Sequence, residues 1–403
     1  MSGTLFYFLC FFPFITLQRG EQSSDVQAYC LIYTMTLFII QSVKGKIRMD
    51  KKMYIIYIII ILGITVGMMA TVMFSGLNFT GILRYLATYF GLILISYVSY
   101  SIFMRNGGLN ERFVKVGINI WLAVGVIQSF VSRNFCSNIV SNARTSSNRG
   151  VFSLASEPSF YGYMCVFFGV LVLEFQTKRI FYWLNLLFQV VFLAKSSVTV
   201  LYLIILFGLI GLYLLRERGF KGILIFFIAL AGAVLLYRFL VGRIDSGQRM
   251  IVFLNTLFSG KNIWAIIKNF GNDGSIYIRF RDIWICIEGF VSYGGMPHGF
   301  NTRKISSGYG SMMYTMGWIG IIIIICIFKL MRSAYENKMA RNVIPVFLTI
   351  ILFSAIQISN PIIGFLVGYY MYKRRNKGIQ GQKASLTKYS YQEFGGKNVL
   401  FHE

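Results

Sequence analysis

The chain has 403 residues, of which 56% are hydrophobic, 17% aromatic and 13% charged, and its mean hydropathy is +0.64. Soluble domains carry about 25% charged residues, so this composition excludes polar surfaces wrapped around two or three soluble domains, and no Gly/Ser linker divides the chain. Thirty-nine Lys and Arg against 14 Asp and Glu leave a formal charge of +25; in so apolar a chain the excess reads as cytoplasmic loops obeying the positive-inside rule, not as a nucleic-acid partner.

A membrane-spanning helix needs about 20 apolar residues at 1.5 Å rise each. Taken in chain order, such runs fall at 4–17, 26–43, 53–74, 83–103, 113–131, 159–175, 180–194, 197–215, 222–240 and 309–328. The first lacks a basic leader and reads as a retained span rather than a signal peptide. The stretch 343–372 is too long for one helix and is interrupted by Ser359-Asn360-Pro361. Proline disfavours helix at the residue before it, so the stretch reads as two short segments in a hairpin.

The predicted fold class is an all-α polytopic integral membrane protein of about 12 transmembrane segments, with 11 as the alternative. Residues 1–372 form one bundle, followed by a polar tail over 373–403 that reads as disordered. Loops 43–52, 104–115, 176–180, 216–221, 329–342 and the tail hold 24 of the 39 Lys and Arg. That side is expected to be cytoplasmic, with the N-terminus inside.

Two long loops remain for the outer side, 132–158 and 241–308. Long loops without structure of their own are uncommon and often functional. In the larger one, the run Ile283 to Val291 predicts a helix lying on or dipping into the membrane. Gly294 to Gly310, with five glycines and one proline, predicts a mobile lid. Counting Arg238 at its edge, these regions carry twelve basic residues against five acidic ones, and most of the basic ones are arginine. Arginine binds phosphate through a planar fork, so the cluster suits a lipid diphosphate or anionic phospholipid headgroups. Arg84, Arg238 and Lys195, near predicted span ends, read as snorkelling to the interface, with an anionic-lipid contact as the alternative for Lys195. Six scattered cysteines without a CxxC pair, and only His298 and His402, predict neither a disulfide framework nor a metal centre.

Residues 148–162 read NRGVFSLASEPSFYG. Ser156-Glu157-Pro158-Ser159 predicts a helix start, with a serine near the N-cap and proline in the first turn. Glu157 then lies at the positive end of the helix dipole, where a solvated acid is common, and Arg149 is placed to pair with it across the loop.

An Arg-Gly followed by an EPSFYG-like turn into a helix resembles the Wzy-type O-antigen polymerases and the related O-antigen ligases. Further segments share the likeness: Leu193-Ala194-Lys195-Ser196-Ser197, Ser275 through Arg279 and Arg281, Pro297-His298-Gly299-Phe300, Gly317-Trp318-Ile319-Gly320, and Asn360-Pro361 through Gly368. Lys195 and His298 depart from the family pattern. The likeness covers roughly residues 149–370; the first 140 contribute hydropathy alone.

The resemblance implies a GT-C-like glycosyltransferase in the inner membrane of a bacterium, with its active site facing the periplasm. Donor and acceptor would both be oligosaccharides linked to undecaprenyl diphosphate, and the growing chain would pass to a new repeat unit with inversion. No cofactor or metal is implied; membrane lipid and a separate chain-length regulator are expected partners, and nucleic acid is not. The leaving diphosphate needs fixed cations, for which Arg149, Arg279 and Arg281 are the first candidates and Arg249 the next. Arg279 and Arg281 share a face only if their segment is extended; in a helix they diverge. The acceptor hydroxyl needs a base: Glu157 leads, with a purely structural hold on Arg149 as its competing role, and His298 is the alternative. A ligase shares the donor chemistry and stays open as a second reading; a lipid-linked oligosaccharide flippase fits less well, because the charge sits in long loops rather than inside the bundle.

Overall fold

The computed structural model describes residues 2–16, 24–47, 49–75, 79–144, 149–219, 221–222, 274–300, 302–303, 305–354 and 356–394. Most of the predicted span 222–240, and Arg249 with it, lies outside the described residues. Among those described the elements are helical: α1 (Ser2–Phe11), α2 (Tyr29–Val43), α3 (Lys51–Ser75), α4 (Phe79–Asn106), α5 (Glu111–Phe130), α6 (Pro158–Val172), α7 (Arg179–Phe188), α8 (Ser197–Arg218), α9 (Gly274–Ser292), α10 (Gly308–Met316), α11 (Trp318–Ala334), α12 (Lys338–Ser354) and α13 (Pro361–Phe394).

Helix α3 shows why these runs adopt this form. Its inward side buries Met53, Ile56, Ile60 and Ile64, yet its outward side exposes Ile58, Leu62, Met69 and Met73. A helix apolar on every face belongs in hydrocarbon, where its backbone satisfies its own polar groups. Among the described residues four helices, α3, α4, α5 and α8, are long and apolar enough to cross a membrane. Large apolar side chains are also exposed on α2 and α7. The protein is a helical membrane protein.

The predicted first span is a short helix instead. Helix α1 has ten residues, about 15 Å of rise, and Phe6, Tyr7, Cys10 and Phe11 are buried. Phe365 of α13 receives the rings of Tyr7, Phe11 and Phe103 at centroid distances of 5.2–5.3 Å, so α1 is a core wedge between α4, α5 and α13. Close approach of α4 and α13 comes from Gly364 and Gly368, a small-xxx-small pair: a Cβ at Gly368 would overlap the Ser96 carbonyl oxygen.

Three further boundaries differ from the hydropathy reading. The run 309–328 is two helices, parted at Gly317 (φ +59°), where a Cβ would overlap the Gly295 carbonyl oxygen. Residues 373–394 continue α13 as helix rather than a disordered tail; its continuation is tied down by Lys373, 2.7 Å from Glu174, and by Arg375, which donates to the Tyr100 hydroxyl. The glycine-rich stretch taken for a lid is fastened. The His298 amide donates to the Tyr314 carbonyl and the Gly299 amide to that of Thr315, the Phe300 amide donates to Thr71 Oγ1 at 2.6 Å, and the buried Phe300 ring stacks on Tyr85. The break before Pro361 is present as predicted: α12 ends at Ser354, and Asn360 Oδ1 accepts the Ile362 amide.

Candidate functional site

The Glu157 carboxylate collects three guanidinium groups. Glu157 is the N-cap of α6, in extended backbone (φ −153°, ψ 161°) with Pro158 after it, and its side chain caps no helix amide. The serine expected at this cap, Ser156, lies one residue earlier and is buried. Freed from capping, the carboxylate turns to Arg279 Nη2 at 3.6 Å on Oε1, and to Arg144 Nη1 at 3.6 Å and Arg149 Nη1 at 3.9 Å on Oε2. Ser159 Oγ donates to Oε1 and accepts from Arg279 Nη2 at 3.1 Å. The Glu157 and Arg279 side chains are only 14% and 10% exposed.

Each arginine reaches the carboxylate by its own route. Arg149 and Arg144 come from the loop between α5 and α6. The Arg149 carbonyl accepts from Arg133 Nη2, and Gly150 lies flat on the chain after α7, where a Cβ would overlap the Ala194 carbonyl oxygen. The Val151 amide, donating to the Leu193 carbonyl at 2.9 Å, fastens the same approach. Arg144 is also paired with Asp25 at 3.3 Å. Arg279 descends from α9, with its guanidinium 5.7 Å above the Tyr163 ring, a cation–π contact. Gly162 lets α6 meet the start of α8, since a Cβ there would overlap Thr199 Oγ1. The two glycines of the sequence motif are therefore contact points that set where Arg149 and Tyr163 stand.

Of the predicted site residues, the structure brings Glu157, Arg149 and Arg279 together and leaves two others apart. The segment of α9 is helical, so Arg281 turns away; its side chain is 50% exposed and lies 3.6 Å from Asp282. His298 follows α9 at its far end, about 20 Å of helix rise beyond Arg279. There it stacks on Tyr314 (centroids 4.2 Å, interplanar 21°) and meets Tyr293 edge-on at 4.6 Å, and burial pushes its pKa below the usual value. Among the described residues its ring contacts are with Tyr293 and Tyr314, not with the Glu157 cluster. Arg249 lies outside the described residues. Sequence reasoning had not placed Arg144, Asp25 or Tyr163 at the site. Arg144 carried a signal in sharing the loop with Arg149; Asp25 carried none, because its contact spans separations the pattern of a single chain does not reveal.

A cavity of about 830 Å³ lies elsewhere: it is mostly apolar, runs between α6, α7, α8, α12 and α13, and holds no member of the Glu157 cluster. Chemically, the cluster is an anchored set of forks, three guanidinium groups against the carboxylates of Glu157 and Asp25, and it is suited to an incoming anion that competes for the arginines. The chain matches no protein-family model, no curated protein and no solved structure with which it was compared.

Proposed function

We propose that this protein is a surface-polysaccharide polymerase of the O-antigen type. It transfers a growing glycan from undecaprenyl diphosphate to a new lipid-linked repeat unit at the periplasmic face of a bacterial inner membrane. A GT-C-like bundle of about 12 spans belongs to the same reading. The observation that carries it is the gathering of Arg144, Arg149 and Arg279 around Glu157, together with the motif likeness at Arg149, Glu157 and Arg279.

In the proposed reaction the bond between the anomeric carbon and the phosphate oxygen breaks, and the diphosphate leaves with the electron pair. The acceptor hydroxyl attacks from the opposite face, which inverts the anomeric carbon. Fixed guanidinium groups stabilise the negative charge as it develops on the leaving group. Arg149 makes the longest of the Glu157 contacts, so it is the arginine most readily drawn to the diphosphate. Its departure leaves Arg144 as the remaining guanidinium on Oε2 of Glu157, and that oxygen takes the proton of the attacking hydroxyl. Arg279 and Ser159 hold Oε1 meanwhile, keeping the carboxylate aimed.

The test is a glycan gel from a strain lacking the protein. Single-unit capped glycan in place of a ladder is expected. Absence of any glycan on the lipid A-core would assign the protein as a ligase and overturn the polymerase reading.

A further inference from the structure

Beside the Glu157 cluster, on the other side of Arg149, lies a second cavity of about 270 Å³. Its walls include Gln128, the end of α5, and the side chains Arg133, Arg149 and Lys195. Among the described residues no carboxylate lines it. Three half-buried basic residues line this one cavity, and an anion with several oxygens offers acceptors to all of them at once. The space is several times the roughly 30 Å³ that one water occupies in the liquid, room for more than a single small ion.

The backbone is built to deliver Lys195 there. Helix α7 passes into a π-helical turn over Gln189–Ala194, closed by the Lys195 amide donating to the Val190 carbonyl at 3.0 Å. Such turns are rare and concentrate at functional sites. Lys195 itself is left-handed (φ 44°, ψ 39°), a conformation that disfavours lysine and that Asn adopts more readily. The buried Gln189 holds the turn, accepting from the Tyr161 hydroxyl at 2.9 Å and donating to Asn185 Oδ1 at 2.8 Å. Gly150 lies against the end of this turn, so Arg149 and Lys195 reach one cavity through direct backbone contact. Arg133 crosses over to the Arg149 carbonyl and closes the third side.

The geometry points to this cavity as a diphosphate-binding site in which Arg133 and Lys195 grip the phosphoryl oxygens and Arg149 is shared with Glu157. Its place in catalysis rests on the polymerase reading above, and it adds two residues to the donor site: Arg133 and Lys195 hold the carrier's diphosphate while Arg279 stays with Glu157. A phosphoryl group can come from a diphosphate or from an anionic phospholipid headgroup, so the test separates them.

Purified full-length protein in phosphatidylcholine nanodiscs is titrated with inorganic pyrophosphate by calorimetry, and again in nanodiscs containing phosphatidylglycerol. Saturable pyrophosphate binding is expected in both. Lys195→Asn, which suits the left-handed backbone while removing the charge, and Arg133→Gln should each weaken it about tenfold. Lys195→Arg and the distant Arg281→Gln should stay within about twofold of wild type. Gel filtration in detergent checks that each variant is folded, and Lys195→Asn against Lys195→Arg gives a charge comparison at one position if Arg133→Gln is not. Unchanged pyrophosphate affinity in Lys195→Asn overturns the site. Pyrophosphate binding abolished by phosphatidylglycerol assigns the cavity to a lipid headgroup and overturns the diphosphate assignment. The two readings fail separately: pyrophosphate bound through Lys195 by a protein that forms no glycan ladder sinks the polymerase alone. A ladder that needs Arg279, with pyrophosphate binding indifferent to Lys195 and Arg133, sinks the cavity alone.

Discussion

Arg279 Nη2 lies 3.6 Å from Glu157 Oε1, although the two residues are far apart in the chain, Glu157 at the N-cap of α6 and Arg279 on α9. The pair is nearly buried and shares Ser159 as a common hydrogen-bond partner. Arg279→Ala is expected to abolish the glycan ladder while the protein still inserts, because the α9 backbone keeps its packing on α10. A double-mutant cycle over Glu157→Gln and Arg279→Met should give a coupling energy of about 1–3 kcal/mol in unfolding free energy; additivity within about 0.5 kcal/mol would show that the pair does not act as a unit.

Arg281 is the internal control. Its exposed guanidinium lies 3.6 Å from Asp282, whose other oxygen accepts the Ser306 amide at 2.9 Å. Arg281→Ala should change stability by less than about 0.5 kcal/mol and leave the ladder at wild-type length on a glycan gel. Loss of the ladder would place Arg281 in the site.

Gly162 has a different kind of constraint. Gly162→Ala drives a methyl group into Thr199 Oγ1, and overpacking of this sort costs about 1–3 kcal/mol. Thr199→Ala removes the atom in the way, so the double variant should regain part of the lost thermal stability. A double variant no more stable than Gly162→Ala would mean that the fault lies in the α6 backbone.

His298 makes stability depend on pH. Burial against Tyr293 and Tyr314 lowers its pKa from the ordinary 6.5, so the unfolded chain takes up the proton first as pH falls. The folded state is therefore most stable above about pH 6.5 and loses stability below it, down to the lowered value. Hydrogen exchange of residues 295–300 should accelerate over that window in wild type. In His298→Phe, which keeps the ring stack, the acceleration should vanish; if it persists, another group titrates there.

Local chemistry was enough to read the helical membrane class, the spans of α3, α4, α5 and α8, and the break at Asn360-Pro361, because hydropathy, proline and an Asn cap act within a few residues. It also singled out Glu157, Arg149 and Arg279, since the residue types required for anion chemistry stood in a motif. Folding in three dimensions supplied what neighbours along the chain do not encode. A Gly295 carbonyl splits 309–328 at Gly317, the rings around Phe365 turn the first apolar run into a core wedge, and helical geometry parts Arg281 from Arg279. Other contacts between distant segments carry Asp25 to Arg144 and Lys195 to the cavity that Arg149 also lines. These outcomes depend on which surfaces meet, and close contact between distant segments has no local signature beyond a glycine left where a side chain would not fit.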